Sequence, residues 1–170
     1  MRGQYAEFRW ISAVFSAFLH AVAGSPAALE ARVGYNLSRM LTLAIDTSTP
    51  SGSIAVLREE RLVGILGIAA EETYSSRLFR HVKYLLEELQ LSLNEFDLYA
   101  VAAGPGSFTG LRIGLTAAKG WAEVFSKPVV GVSVVEAIAV RATTPAPVLV
   151  SLLDARRGQV FGAVKRFVRD

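Results

Sequence analysis

The chain has no cysteine among its 170 residues. That excludes a disulfide framework, a thiolate zinc site and a cysteine nucleophile, and it fits a reducing, cytoplasmic setting. Histidine is scarce as well. His20 and His81 stand too far apart to form a helical metal pair, so a metal site would need carboxylates, and no metal residue is assigned. An excess of one charge is also lacking: 18 Lys and Arg stand against 15 Asp and Glu, a net charge of +3. Residues 1–39 hold +2 of this, through Arg2, Arg9, Arg32 and Arg39 against Glu7 and Glu30. A domain that binds nucleic acid by neutralising phosphates carries a larger basic excess, so autonomous RNA binding is disfavoured. No apolar run reaches the 18 or so residues that span a bilayer, and no membrane partner is expected.

What is present is a hydrophobic share of 52% with 19% charged residues, the profile of a folded globular chain. The first 39 residues differ from the rest. Trp10 to Gly24, WISAVFSAFLHAVAG, loosely resembles a signal peptide. Against this, Glu7 and Arg9 precede the apolar stretch, His20 interrupts it, and Met40 stands directly before the first strong strand. Residues 1–39 therefore read as an extension arising from a mis-assigned start, with an accessory helix or a targeting segment as alternatives.

From Leu41 the pattern becomes regular. Leu41 to Ile45, Ser53 to Leu57 and Leu62 to Ala70 are apolar runs separated by short polar turns, which predicts a three-stranded meander. Ser75 to Leu91 places Leu78, Val82, Leu85, Leu86 and Leu89 on one face and Arg77, Arg80, Lys83, Glu87 and Glu88 on the other. This predicts an amphipathic helix with Thr73 or Ser75 as its cap. A buried strand is expected at Leu98 to Ala103, a helix over 110–125, a strand from Pro128 and a short helix from Val134 to Ala142. Thr143 to Pro147, TTPAP, reads as a linker. A final strand pair, from Val148 and from Gly158, flanks a reversal at Asp154 to Arg157. A meander followed by alternating helices and strands implies a mixed α/β sheet covered by helices.

Three segments could carry chemistry. In GPGSFTG, a strand, a glycine-rich turn and a helix start follow one another, so Gly104, Pro105, Gly106, Ser107 and Gly110 could gather backbone N–H groups around an anion. The spacing is not that of a P-loop, and Thr109 stands where GxGxxG needs its third glycine. The alternative is that the glycines only let the turn form and the helix pack closely. Asp46, Thr47 and Ser48 end the first strand, where a carboxylate and hydroxyls can hold a metal-bound water or touch phosphate; a capped polar turn is the alternative. Asp154 with Arg156 and Arg157 is either a surface ion pair or a phosphate contact. Helix 110–125 has more apolar area than one sheet needs, so it and helix 75–91 are candidates for a partner-binding surface. Nothing in the chain matches a nucleophile elbow or HExxH.

LAIDTST at 43–49, GPGSFTGLRIG at 104–114 and DARRGQVF at 154–161, in this order and at these separations, resemble the TsaB (YeaZ) family of tRNA threonylcarbamoyladenosine biosynthesis, which is related to the glycoprotease-like TsaD proteins. The resemblance runs from about Met40 to Asp170. It implies the actin-like, sugar-kinase and Hsp70-like ATPase fold, with a first lobe at 40–145 and the opening strands of an incomplete second lobe at 146–170. Asp46, Thr47 and Ser48 then occupy a degenerate phosphate loop. The TsaD relatives carry an HxxxH metal motif, whereas Tyr74 to Leu78 here reads YSSRL, and Tyr74 stands where many members have His.

The resemblance therefore implies a non-catalytic scaffold or activator subunit that binds a TsaD-type transferase, with a TsaE-type ATPase completing the system. The transferase places threonylcarbamoyl on the adenosine beside the anticodon, so tRNA is met indirectly through the complex. The implied partner face comprises Leu78, His81, Val82, Leu85, Leu111, Gly114, Leu115, Ala118 and Trp121, and a homodimer is a further expectation. No cofactor of its own is implied; ATP or ADP at the subunit junction would approach Asp154 and Arg156. The rival readings are a small-molecule kinase or ATPase of the same fold and a glycoprotease-like metalloenzyme.

Overall fold

The computed structural model describes residues 40–59, 61–69, 74–140 and 148–166. The apolar stretch at 10–24, the cap candidate Thr73 and the linker at 143–147 lie outside them. Strands β1 (Leu41–Asp46), β2 (Ser51–Arg58) and β3 (Arg61–Ala69) form the expected antiparallel meander. Helix α1 (Tyr74–Leu89) follows, then a 3-10 turn at Leu93–Glu95, β4 (Leu98–Gly104), α2 (Phe108–Phe125), β5 (Val129–Ser133) and α3 (Val134–Val140). The sheet order is β3-β2-β1-β4-β5, with β4 parallel to both β1 and β5. A separate antiparallel hairpin, β6 (Val148–Arg156) and β7 (Gln159–Arg166), forms a second sheet.

Period-two alternation along β1 divides the core. Leu41, Leu43 and Ile45 join Ile54, Val56, Tyr99 and Val101 beneath Leu78, Val82, Leu85 and Leu86 of α1 and Ala117, Ala118 and Ala122 of α2. Ala44 joins Ala55, Leu57, Leu98 and Ala100 on the opposite face. Each large apolar side chain buried this way contributes roughly 1.5–3 kcal/mol. Two polar bonds pin the entry to β4. The Leu41 N–H donates to Asp97 Oδ2 at 2.9 Å, and the Tyr99 hydroxyl donates to the Leu93 carbonyl at 2.6 Å. Burial pushes the Tyr99 phenol up to about 12, so it remains a donor throughout the ordinary pH range.

The structure shifts several expected boundaries, for local reasons. Helix α1 stops at Leu89, two residues early, because Gln90 takes a left-handed φ of 54° and the Leu91 N–H turns back to the Leu86 carbonyl, a helix-ending motif. Helix α2 starts at Phe108, inside the glycine-rich motif, because the Ser107 side chain accepts the Gly110 N–H at 3.3 Å. Strand β6 runs on through Asp154, which pairs with Val160. This narrows the reversal to Arg156, Arg157 and Gly158, all at positive φ. Arg77, expected on the solvent face of α1, is 1% exposed, with Nη2 donating to the Pro50 carbonyl at 2.7 Å.

Candidate functional site

The two polar motifs that lie some 60 residues apart in sequence meet at the carboxyl ends of β1 and β4. Asp46 closes β1, and its Oδ1 accepts the Ser48 N–H at 2.8 Å. That bond turns the chain so that the Ser48 carbonyl accepts the Ser107 N–H at 2.7 Å. The glycines make this approach possible. A Cβ at Gly106 would lie 2.5 Å from the Ser48 carbonyl oxygen, one at Gly110 would collide with the Thr47 carbonyl, and one at Gly114 with Thr47 Oγ1. Gly110 and Gly114, four residues apart on α2, present one bare helical edge to the turn, and Gly106 lies just before the Ser107 cap.

The product is a sealed joint. Asp46, Thr47 and Ser48 are 5%, 0% and 2% exposed. Burial raises the Asp46 carboxyl above its ordinary value, while hydrogen bonding from Ser48 pulls it partway back. A phosphate at Thr47 and Ser48 would have to displace the backbone of α2, and the Ser107 N–H that could greet an anion is already spent on the Ser48 carbonyl. The residues present therefore do not fit a nucleotide phosphate at this loop. Gly104, at φ +108° and packed on Leu111, and Pro105, joined to it by a cis peptide, complete the turn.

The open surface lies on the other side of the helices. A groove of about 520 Å³ is lined by Phe79 from α1 and by Thr109, Arg112, Ile113, Thr116, Gly120 and Trp121 from α2. Phe79 stands edge-on to Trp121 at 5.9 Å, and Trp121 leans on the core Tyr99 at 6.0 Å. At the helix start the Arg112 guanidinium lies 5.3 Å from the ring centroid of Phe108, which is 74% exposed. Aromatic and arginine side chains over small residues are the composition of protein interface centres.

Most of the residues expected at a partner face do not line this groove. Leu78, Val82, Leu85, Gly114 and Ala118 are buried in the chain's own core, because the apolar stripe of each helix is needed by the sheet. Leu111 and Leu115 are half-buried, Leu115 packing on that core. His81 lines a small cavity with Asp46, Ser53 and Arg77, away from the groove. Of the nine residues, Trp121 lines the groove. Phe79, Arg112, Thr116 and Gly120 lie on the two helices that the sequence singles out, though not among those nine residues, and Thr109 precedes helix 110–125; the signal for the groove was Phe79, an aromatic on the charged side of α1.

Asp154 and Arg156 belong to the hairpin, where the Asp154 Oδ1 accepts the Arg156 N–H at 2.7 Å. They share no hydrogen bond with the glycine-rich loop among the described residues. Nor do three His, Asp or Glu side chains converge anywhere among those residues, and no helix of the described residues is long and apolar enough to cross a membrane.

Known proteins resemble this chain in sequence and in fold. Residues 54–169 match the family model TsaD, tRNA N6-adenosine threonylcarbamoyltransferase. The tRNA threonylcarbamoyladenosine biosynthesis protein TsaB of Bacillus subtilis is 34% identical over 128 residues, 75% of this chain and 56% of that protein. TsaB of Escherichia coli is 33% identical over 73% of this chain and 54% of that protein. The solved structure of YeaZ from Pseudomonas aeruginosa superposes with a TM-score of 0.65 at 31% identity, covering 76% of this chain and 62% of that one. The chain thus spans little more than half the length of these TsaB relatives.

Proposed function

The chain belongs to the TsaD family, in its TsaB/YeaZ branch, with that family's actin-like α/β fold, and from that premise we propose that it serves tRNA threonylcarbamoyladenosine biosynthesis as a subunit without chemistry of its own. In this reading it binds a TsaD-type transferase through the groove between α1 and α2 and activates it, with a TsaE-type ATPase completing the system. tRNA is met through the complex. Nucleotide belongs to the subunit junction, where the exposed Arg156 and Arg157 are the groups this chain would offer to a phosphate.

The observation that carries the proposal is the contrast between the sealed turn at Asp46 to Ser48 and the open aromatic groove beside it. A kinase or ATPase of this fold needs that turn open to phosphate, and a scaffold does not. The test is reconstitution of the full chain with a TsaD-type partner. The expected result is co-purification and faster threonylcarbamoylation of tRNA. Trp121→Glu should lose both while the chain keeps its helical circular dichroism, because a buried carboxylate in the centre of an interface is strongly unfavourable. ATP hydrolysis or peptide cleavage by the purified chain alone, with no binding to the partner, would overturn the proposal.

A further inference from the structure

Among the residues that line the groove between α1 and α2, Arg112 alone is charged; the rest are aromatic, aliphatic, hydroxyl-bearing or glycine. Its charge is not neutralised within the chain. The ion pairs of Lys83 with Glu87 and of Lys127 with Asp97 do not involve it, and among the described residues no carboxylate lies within ion-pair distance of its guanidinium. What holds it is the exposed Phe108, over whose ring it lies at 5.3 Å. A ring attracts a guanidinium through its face but takes up little of its fork of N–H donors, so that fork is left to solvent or to a partner.

The shape of the groove suits a helix. Arg112, Thr116 and Gly120 stand four residues apart on the exposed side of α2, and rows of that spacing are the ridges and grooves along which helices interdigitate. Here the row descends from a long side chain at Arg112 to none at Gly120, where even an added Cβ would meet no atom within 4 Å. A partner helix can approach closely over Thr116 and Gly120 and set its apolar side chains on Phe79, Ile113 and Trp121. Closing the groove in this way takes Arg112 out of water. A desolvated charge with no counter-charge is strongly unfavourable, so the helix that fits must bring an anion. An RNA strand brings a run of phosphates and calls for several basic groups, and the groove has one.

We propose that Arg112 is the specificity residue of the groove and receives an Asp or Glu side chain from an otherwise apolar helix face of the transferase-type partner. The carboxylate takes two N–H groups of the fork side by side, and the apolar walls that exclude water strengthen the pair. This inference rests on the transferase reading and adds to it the chemistry that the partner's surface must carry.

Surface plasmon resonance of the full chain against a TsaD-type transferase tests this. Arg112→Gln should weaken binding about tenfold or more, chiefly through faster dissociation. Arg112→Glu should weaken it further by opposing two carboxylates, and Arg112→Lys should fall between Gln and the parent, because it keeps the charge without the fork. Lys119→Gln, at an exposed position of α2 outside the groove, removes the same charge and should change affinity by less than about twofold. Reversal to Arg of one exposed acidic residue on the partner's helices should recover much of what Arg112→Glu loses, which general damage to α2 would not allow. Equal affinity of Arg112→Gln and the parent overturns the proposal and leaves the transferase reading standing; no binding by the parent overturns both. A loss in Arg112→Glu that no reversal of a partner acid repairs also overturns the proposal. So does a loss confined to association of the chain with itself or with RNA.

Discussion

At the end of β1, Thr47 and Ser48 are 0% and 2% exposed although both are polar, whereas Leu152 and Val164 of the hairpin are 59% and 72% exposed although both are aliphatic. This inversion has one cause. The turn after β1 is held on three sides, by the glycine edge of α2, by the Arg77 guanidinium on the Pro50 carbonyl and by the Asp46 carboxylate on its own backbone. The Ser48 N–H and carbonyl are paired, with Asp46 Oδ1 and the Ser107 N–H, which offsets the cost of burying them, while the Thr47 and Ser48 hydroxyls are buried without a hydrogen-bond partner among the described residues and add to that cost. The hairpin has α3 on one face and no described element packed on the other. Polar residues go inside where close backbone packing encloses them, and apolar residues stay outside where no described element covers them.

The sharpest way to break this comparison is Gly110→Ala. The added methyl meets the Thr47 carbonyl, a backbone atom that cannot swing aside, so a loss of about 3 kcal/mol or more is expected in urea unfolding. A change below 1 kcal/mol would mean that the joint is loose.

Asp46→Asn is the next largest. Burial raises the folded carboxyl above its unfolded value. Its contribution to stability is therefore fully present below the unfolded pKa and is lost as pH rises through the folded one. The Asn variant keeps an acceptor for the Ser48 N–H and has no charge to desolvate. It should be more stable than the parent at pH 7, with the gap closing toward pH 4 in parallel urea titrations. A gap that widens on acidification would contradict the assignment.

Gly120→Ala sharpens the contrast from the opposite sign. No atom lies within 4 Å of the added Cβ, so the variant should gain roughly 0.5–1 kcal/mol from helix propensity while the same change ten residues earlier is ruinous. Smallest of all is Val150→Thr on the open hairpin face, where thermal unfolding of the dilute chain should move by no more than about 0.5 kcal/mol.

Most of the fold was legible. Alternating runs in the meander and the three- and four-residue spacing in α1 record which side meets the core, so element types and order followed from the residues. What periodicity does not record is whether an apolar residue faces its own chain or another. Leu78, Val82 and Leu85 are apolar for the sheet's sake, and the groove is made instead by Phe79, one aromatic among charges, and by Arg112 and Thr116, which look like ordinary surface residues. Arg77 was misplaced for a related reason: its guanidinium reaches a loop carbonyl 27 residues away in sequence, and no local pattern encodes that. The glycine-rich motif left two readings open, an anion cradle or a close-packed turn. Its partner loop favours the close-packed turn, since Thr47 and Ser48 lie against the glycines and the Ser48 carbonyl takes the Ser107 N–H.

Recognition through the open groove and exclusion of ligand from the sealed turn are the two halves of the proposed function, and amide hydrogen exchange of the full chain tests both at once. With a TsaD-type partner, protection should rise in α1 and α2 around Phe79, Thr116 and Trp121, and ATP alone should leave residues 46–49 and 104–110 unchanged. Protection of those two loops by ATP without a partner, with no change in the groove when the partner is added, would contradict it.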